Sequence, residues 1–541
     1  MKDRKLLFGI IFSFIILASL GFSYAYFKNT LENNDVKNNV VETGTLKLIY
    51  TDSPEIILEN AKPGESITKE ISIQNVGTFD VYYKIIWQEL INEIINDEML
   101  IEGTCARINS DGNEEGTCGE ISSRVIDGDA IKDEIYIETG VTHKYTLKIT
   151  FEDTGLEQDY NQGKKFSGVL GINEDKPWYT LCDSSSEDLR CKIITIEEPY
   201  ADNVSSTYVS SKEGINFGEV SSDTNGKGVY FTTDISKTED GKRVYYYRGN
   251  VNNNYLVFAD YCFRIVRTNE DGSVKIRYSG SYTDGKCSEN GTSVKIGNSL
   301  YNKVGNDNSY VGYMNGLNNS GNSTSYENAH SNKYNSTIKT NIDNWYVNNI
   351  LSKGDNVKNV VANTVYCNDR SGGNAINAGG TSYSNKAYGI NNYFYGTSRR
   401  IYKDYSSLGA DPTFKCNQSN DKFTLSVDSG GKKLFGNNKL TYPVALLTGD
   451  ETSYAGLAEE DNTSNYLYTK EYSWTMSPFD FYSPNSNNKH GYIWYITNTG
   501  ALSSTYLDDS TSGVGVIPVL SIVGTTKVSG IGTSNNPYIV E

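Results

Sequence analysis

The 541-residue sequence predicts a mainly β protein, an antiparallel sandwich followed by an α+β C-terminal domain. Three observations carry that expectation. Short runs such as "TGTLKLIY" and "DVYYKIIWQEL" alternate apolar and polar residues, as a half-buried strand does. Turn residues, among them Pro63-Gly64, Asn75-Val76-Gly77 and Asp271-Gly272, separate those runs at short intervals. Helical spacing is confined to a few segments, of which "NSTIKTNIDNWYVNNILSK" is the clearest, with Ile338, Ile342, Trp345 and Ile350 on one side.

The N-terminus comes first in the order of elements. Lys2, Arg4 and Lys5 precede an apolar run from Leu6 to Phe22, and Ser23-Tyr24-Ala25 supplies small residues where a signal peptidase cuts. Residues 1–25 therefore read as a secretory signal, and the run is also long enough for an uncleaved transmembrane anchor. Residues 26–174 read as the sandwich, with strands around Ile67, Ile71 and Ile73 and around Val81, Tyr83, Ile85 and Trp87. The segment "WQELINEIINDEML" also admits a helical turn between strands. Residues 175–227 read as a connector, a short clipped helix in "WYTLCDSSSEDLRCKII" followed by a polar linker. Residues 228–541 read as one large α+β domain whose first hairpin turns at Asp271-Gly272.

Lys and Arg total 49 against 66 Asp and Glu, a net charge of −17. This balance excludes nucleic acid as a partner, because phosphate affinity needs clustered cations. Eight cysteines on an exported chain read as disulfides. Their order pairs neighbours: Cys105 with Cys118, Cys182 with Cys191, Cys262 with Cys287, and Cys367 with Cys416. There is no C-x-x-C, and the only histidines are His143, His330 and His490, so no metal or cofactor is expected.

Two stretches carry a family resemblance. "SYAYFKNT", "VETGTLKL", "KPGESITKEISIQNVGTFDVYYKI" and "ITFEDTGLEQDYNQGKKFSGVLGI" resemble the camelysin/TasA family of secreted Gram-positive proteins. That resemblance implies a jelly-roll-like sandwich, processing by a dedicated signal peptidase and, in some members, extracellular fibres. Camelysin itself is classed as a metalloendopeptidase, but H-E-x-x-H is absent here and His143 is the one histidine of the domain. The C-terminal segments "IDNWYVNNI", "YCNDR", "LTYPVALLTGDE", "WTMSP" and "GVIPVLSI" resemble a poorly characterised secreted Gram-positive domain of C-type-lectin or formylglycine-enzyme type. An arginine that recurs in related "G…VRPV" strands is replaced here by Ile517.

Candidate chemistry is sparse. In "CFRIVR", strand parity places Cys262, Arg264 and Val266 on one face and Phe263, Ile265 and Arg267 on the other. Arg264 then reads as a structural ion pair, with Asp260, Asp369 or Asp421 as partner, and Arg267 as solvated beside the turn. Asn-Asp in "YCNDR" and "NDKFTL" fits Asx turns or a weak calcium site. Trp474, Trp494, Tyr482 and Tyr492 are the aromatic binding candidates, with core anchoring as the alternative for the tryptophans. The Tyr/Asn/Ser loops at 296–333 and 371–405 are the expected recognition surface. No nucleophile-base arrangement is found, so no catalytic residue is named. The sequence thus reads as a non-enzymatic surface or matrix protein. It would anchor or self-assemble through the first domain and recognise surface glycans or proteins through the second, with membrane contact through an uncleaved N-terminus. The alternative is a camelysin-like metalloendopeptidase or another secreted enzyme.

Overall fold

The computed structural model describes residues 37–43, 46–52, 56–59, 62–128, 130–155, 157–203, 214–223, 226–289, 291–372, 383–384, 386–401, 411–426, 436–485, 488–508 and 513–541. The signal or anchor expected at residues 1–25 lies outside them. Among the described residues no helix is long and apolar enough to cross a membrane. The chain is mainly β and divides into two compact units, one chiefly of residues up to Asp175 and one chiefly of Lys176–Glu541.

In the first unit one antiparallel sheet runs, in spatial order, through Lys37–Thr43, Leu46–Asp52, Ser66–Asn75, Thr142–Phe151, Met99–Ile108 and Glu114–Thr117. A second runs through Ile56–Glu59, Lys165–Glu174, Val81–Asn92 and Lys132–Ile137. Alternation sets which side of each strand is buried. In Thr142–Phe151 every second residue, from His143 to Phe151, points inward. The helical turn allowed after Trp87 does not form. Val81–Asn92 stays extended because Lys165–Glu174 pairs along it, with the register shifting between Val169 and Leu170. Trp87 lies so close over Gly168 that a Cβ there would clash with its ring. The two inner faces meet at Tyr83, whose hydroxyl lies 2.9 Å from His143 Nδ1 and 3.0 Å from the Tyr145 hydroxyl. All three side chains are buried.

The second unit is built on a larger mixed sheet that includes Gly228–Phe231, Tyr245–Arg248, Tyr255–Phe258, Tyr261–Thr268, Val274–Thr283 and Val519–Ile522. The expected hairpin joins Tyr261–Thr268 to Val274–Thr283. Asp271 Oδ1 accepts from Ser273 N, and Gly272 takes a φ of +79°. The expected helix spans Thr337–Asn349, capped by Ser336 and burying Ile338, Ile342 and Tyr346. The clipped helix of the connector is Leu189–Thr195, and its Leu189 and Ile193 belong to the core of the second unit. Farther along the connector, Ile215 and Phe217 are buried with Tyr230, Tyr246, Phe414 and Tyr454. Four disulfides join Cys105–Cys118, Cys182–Cys191, Cys262–Cys287 and Cys367–Cys416.

Part of one expected recognition loop, residues 307–316 of 296–333, is interior, while 318–322 are exposed. Tyr301, Tyr310 and Tyr313 of the 296–333 stretch are fully buried. Asp307 makes this possible by accepting from the backbone of Ser309 and Ser323, so those two buried N–H groups are paired.

Candidate functional site

The arginines of "CFRIVR" are the first candidate, and the structure corrects their parity. Arg264 pairs across the sheet with Arg277 and Ile265 with Ile276, but Arg267 pairs with Lys275. Val266 is therefore an extra residue, a bulge that turns Arg267 onto the face of Arg264. Tyr246 pairs with Arg267, and Arg248, two residues farther along, shares that face. Five cations (Arg248, Arg264, Arg267, Lys275 and Arg277) thus line one buried side of the sheet.

The segment that covers them is the "LLTGDETSYAG" run. Glu451 caps its own short helix by accepting from Thr448 N at 3.0 Å. The same carboxylate accepts from Arg267 Nε at 2.9 Å and from Lys275 Nζ at 2.5 Å. Burial disfavours its charge, but Lys275 and Arg267 outweigh that and hold its pKa down at about 2. Arg248 donates to the carbonyls of Ser453 and Tyr454. Arg267 is therefore buried and ion-paired, not solvated, because the bulge aims it inward.

Arg264 is buried with Glu289, at 3.4 Å, as its carboxylate. It also donates to Val251 O at 2.7 Å and lies 3.9 Å from the centre of the Tyr255 ring. None of the three expected partners reaches it. Asp260 is exposed and holds Lys353, Asp369 pairs with Arg400, and Asp421 pairs with Arg370. Those last two pairs also account for the Asn-Asp motifs. The arginine face is an internal frame in which Arg264, Arg267 and Lys275 meet carboxylates while Arg248 and Arg277 donate to main-chain carbonyls.

The second candidate lies on the sheet Tyr393–Phe394, Ser473–Asn485, Asn488–Ile496 and Leu502–Tyr506, paired in that order. Its strands place the predicted aromatics on two different faces. On one, Trp474 pairs with Tyr495 and donates its indole N–H to Ser299 O. Beside them Tyr472, Tyr495, Thr505 and Val514 line a cavity of about 270 Å³. On the other, Tyr482 pairs with His490, Tyr492 with Tyr506, and Phe394 with Asp480. Trp494 is buried there and donates to Ser398 Oγ at 2.9 Å. Both tryptophans are thus locked in the interior, while Tyr482, His490 and Tyr492 are half-buried and Tyr506 is exposed. The Tyr492 and Tyr506 rings lie 4.6 Å apart, and His490 lies 4.5 Å from Tyr506.

Sequence reasoning missed Asp480, in "SPFDFYSP". It is 6% exposed, accepts from the Tyr383 hydroxyl at 3.2 Å through Oδ2, and leaves Oδ1 buried without a hydrogen-bond partner. Burial pushes its pKa up to about 7. The available signal was a lone acid between phenylalanines in a strand, since such a position is paired or perturbed.

A metal centre was tested against the donors present. Among the described residues one group of His, Cys, Asp and Glu comes close enough, namely Cys105, Cys118 and His143. The two cysteines are joined in a disulfide and offer no thiolate, and His143 is engaged with Tyr83. Burial holds the His143 pKa down at about 4. This trio does not fit a metal ion.

Residues 2–98 match the family model described as camelysin metallo-endopeptidase. That match supports the resemblance of the N-terminal part and a secreted protein, outside the cell or at its surface. It also corrects the expectation of a non-enzymatic protein, since the matched family is named for an endopeptidase. No curated protein matches the chain. Among solved structures, a family 123 glycoside hydrolase from Clostridium perfringens is 13% identical, with 25% of this chain and 26% of that chain covered. Its TM-score of 0.11 is too low to support any likeness of fold.

Proposed function

We propose that the protein is exported to the cell surface or extracellular matrix and that its second unit is a lectin-like module. The surface that recognises glycan is the face of Tyr482, His490, Tyr492 and Tyr506. The observation that carries this reading is the set of adjoining, partly exposed rings on a rigid sheet, with Tyr492 and Tyr506 4.6 Å apart. Aromatic faces pack against the apolar faces of sugar rings, and their polar edges meet hydroxyls. The first unit is read as the anchoring or self-assembling part, through edge strands such as Ile56–Glu59, where Ile57 is exposed.

A glycan array probed with the full chain, with and without calcium, tests this reading. Binding that Tyr492→Ala and Tyr506→Ala abolish is the expected result, and no signal on the array overturns it. The family match favours a second reading, a secreted endopeptidase. Cleavage of an unfolded protein substrate by the purified chain, with and without a chelator, checks that reading independently.

A further inference from the structure

Buried carboxylates elsewhere in the second unit meet a cation or several hydrogen-bond donors, as Asp307 and Asp202 do with backbone and hydroxyl groups. Asp369 and Asp450 share Arg400, Asp421 holds Arg370, and Glu451 holds Arg267 and Lys275. Asp480 does not: among the described residues no Lys, Arg or His forms an ion pair with it. Its surroundings are rings. Phe394 is its cross-strand partner, Tyr383 donates to it, and the Tyr383 and Phe394 rings lie 5.6 Å apart. Burial chiefly, then the Tyr506 hydroxyl and the Asp480 charge, raise the pKa of the half-buried Tyr492. Phe479 packs between these rings, 5.6 Å from Phe394 and 6.5 Å from Tyr492.

A carboxylate with one buried, unpartnered oxygen, set among aromatic rings, has the composition of an ammonium site. The carboxylate supplies the charge, and the ring faces supply negative quadrupole while excluding water. A neutral ligand would leave Asp480 as it stands, and an anion would be repelled by it. We propose that Asp480, with Tyr383, Phe394 and Tyr492, receives a protonated primary amine, and that the glycan recognised on this face carries a free-amine hexosamine. This inference rests on the glycan-recognition reading and names its ligand class. The neighbouring hydroxyls of Tyr482 and Tyr506 then serve the sugar hydroxyls.

The test uses the full chain and two matched probes, glucosamine oligomers and N-acetylglucosamine oligomers of equal length, titrated near neutral pH. The wild-type chain is expected to prefer the free-amine oligomer by ~10-fold, as a charge-assisted hydrogen bond in a desolvated site does. D480N should erase that preference while leaving the weaker binding of the acetylated oligomer. Y492A should abolish binding of both. If D480N does not fold, Y383F serves, since removal of the internal donor should preserve or strengthen the preference. Equal binding of the two oligomers by the wild type, or a preference that survives D480N, overturns the ammonium site and leaves glycan recognition standing. Binding of neither oligomer, together with an empty glycan array, overturns the recognition reading as well.

Discussion

The central polar clusters of the two units differ in charge, although the first unit also buries Lys69 beside Asp52 and Glu98 among Gln158 and Asn161. In the first, the interior polar cluster is neutral: a phenol, an imidazole and a second phenol share hydrogen bonds at Tyr83, His143 and Tyr145. In the second, five cations on one sheet face are answered by carboxylates and carbonyls brought in by distant segments, Glu451 above all. A neutral cluster needs only two sheets stacked with matching alternation. A charged one needs every partner delivered, because an ion left alone in the interior costs several kcal/mol. Both units bring partners from far along the chain, but the second must also match charge with charge.

The largest expected effect falls on the charged cluster. Glu451→Gln leaves Arg267 and Lys275 without their shared carboxylate, and should cost about 3–5 kcal/mol. Calorimetry should show the loss in the second unit's transition alone, and an equal fall in both would dissolve the contrast. Asp480 comes next. The folded carboxyl keeps its proton up to about pH 7, whereas the unfolded one loses it near 3.8. Stability of the second unit should thus fall as pH rises between those values, by up to about 4 kcal/mol. D480N should flatten that slope in urea titrations run across the range.

The neutral cluster predicts the opposite slope. His143 stays uncharged in the fold down to about pH 4, against 6.5 when unfolded. The first unit should therefore lose about 3 kcal/mol as pH falls between those values, and keep full stability above the upper one. His143→Gln should remove the slope whatever it does to the midpoint. The smallest effect is at Arg264. Arg264→Lys loses the bond to Val251 O and the flat stacking on Tyr255, for about 1 kcal/mol.

Local features were legible in advance. The Asp271-Gly272 hairpin, the capped helix after Ser336 and the neighbour order of the cysteines each depend on residues close in sequence. The misreadings share one cause. A single bulge at Val266 reversed the parity of Arg267, and parity counted along one strand carries no sign of a bulge that pairing with another strand creates. The partner of Arg264 was sought among aspartates of plausible motifs, yet Glu289, beyond the hairpin, is the carboxylate that the fold brings near. The Tyr301–Tyr313 stretch looked like a polar loop because its composition is polar. Asp307 pairs the buried N–H groups of Ser309 and Ser323 internally, so that turn packs.

By itself, then, the sequence determined a mainly β chain, its hairpins and capped helix, and an export-like N-terminus, all of which rest on local periodicity, turn chemistry and residue order. The tertiary structure alone decided which cations share a face, which aromatics are anchors and which stand at the surface, and that Asp480 is held without a counter-charge among the described residues. Those properties depend on register between strands far apart in the chain, and on which side chains the fold removes from water together.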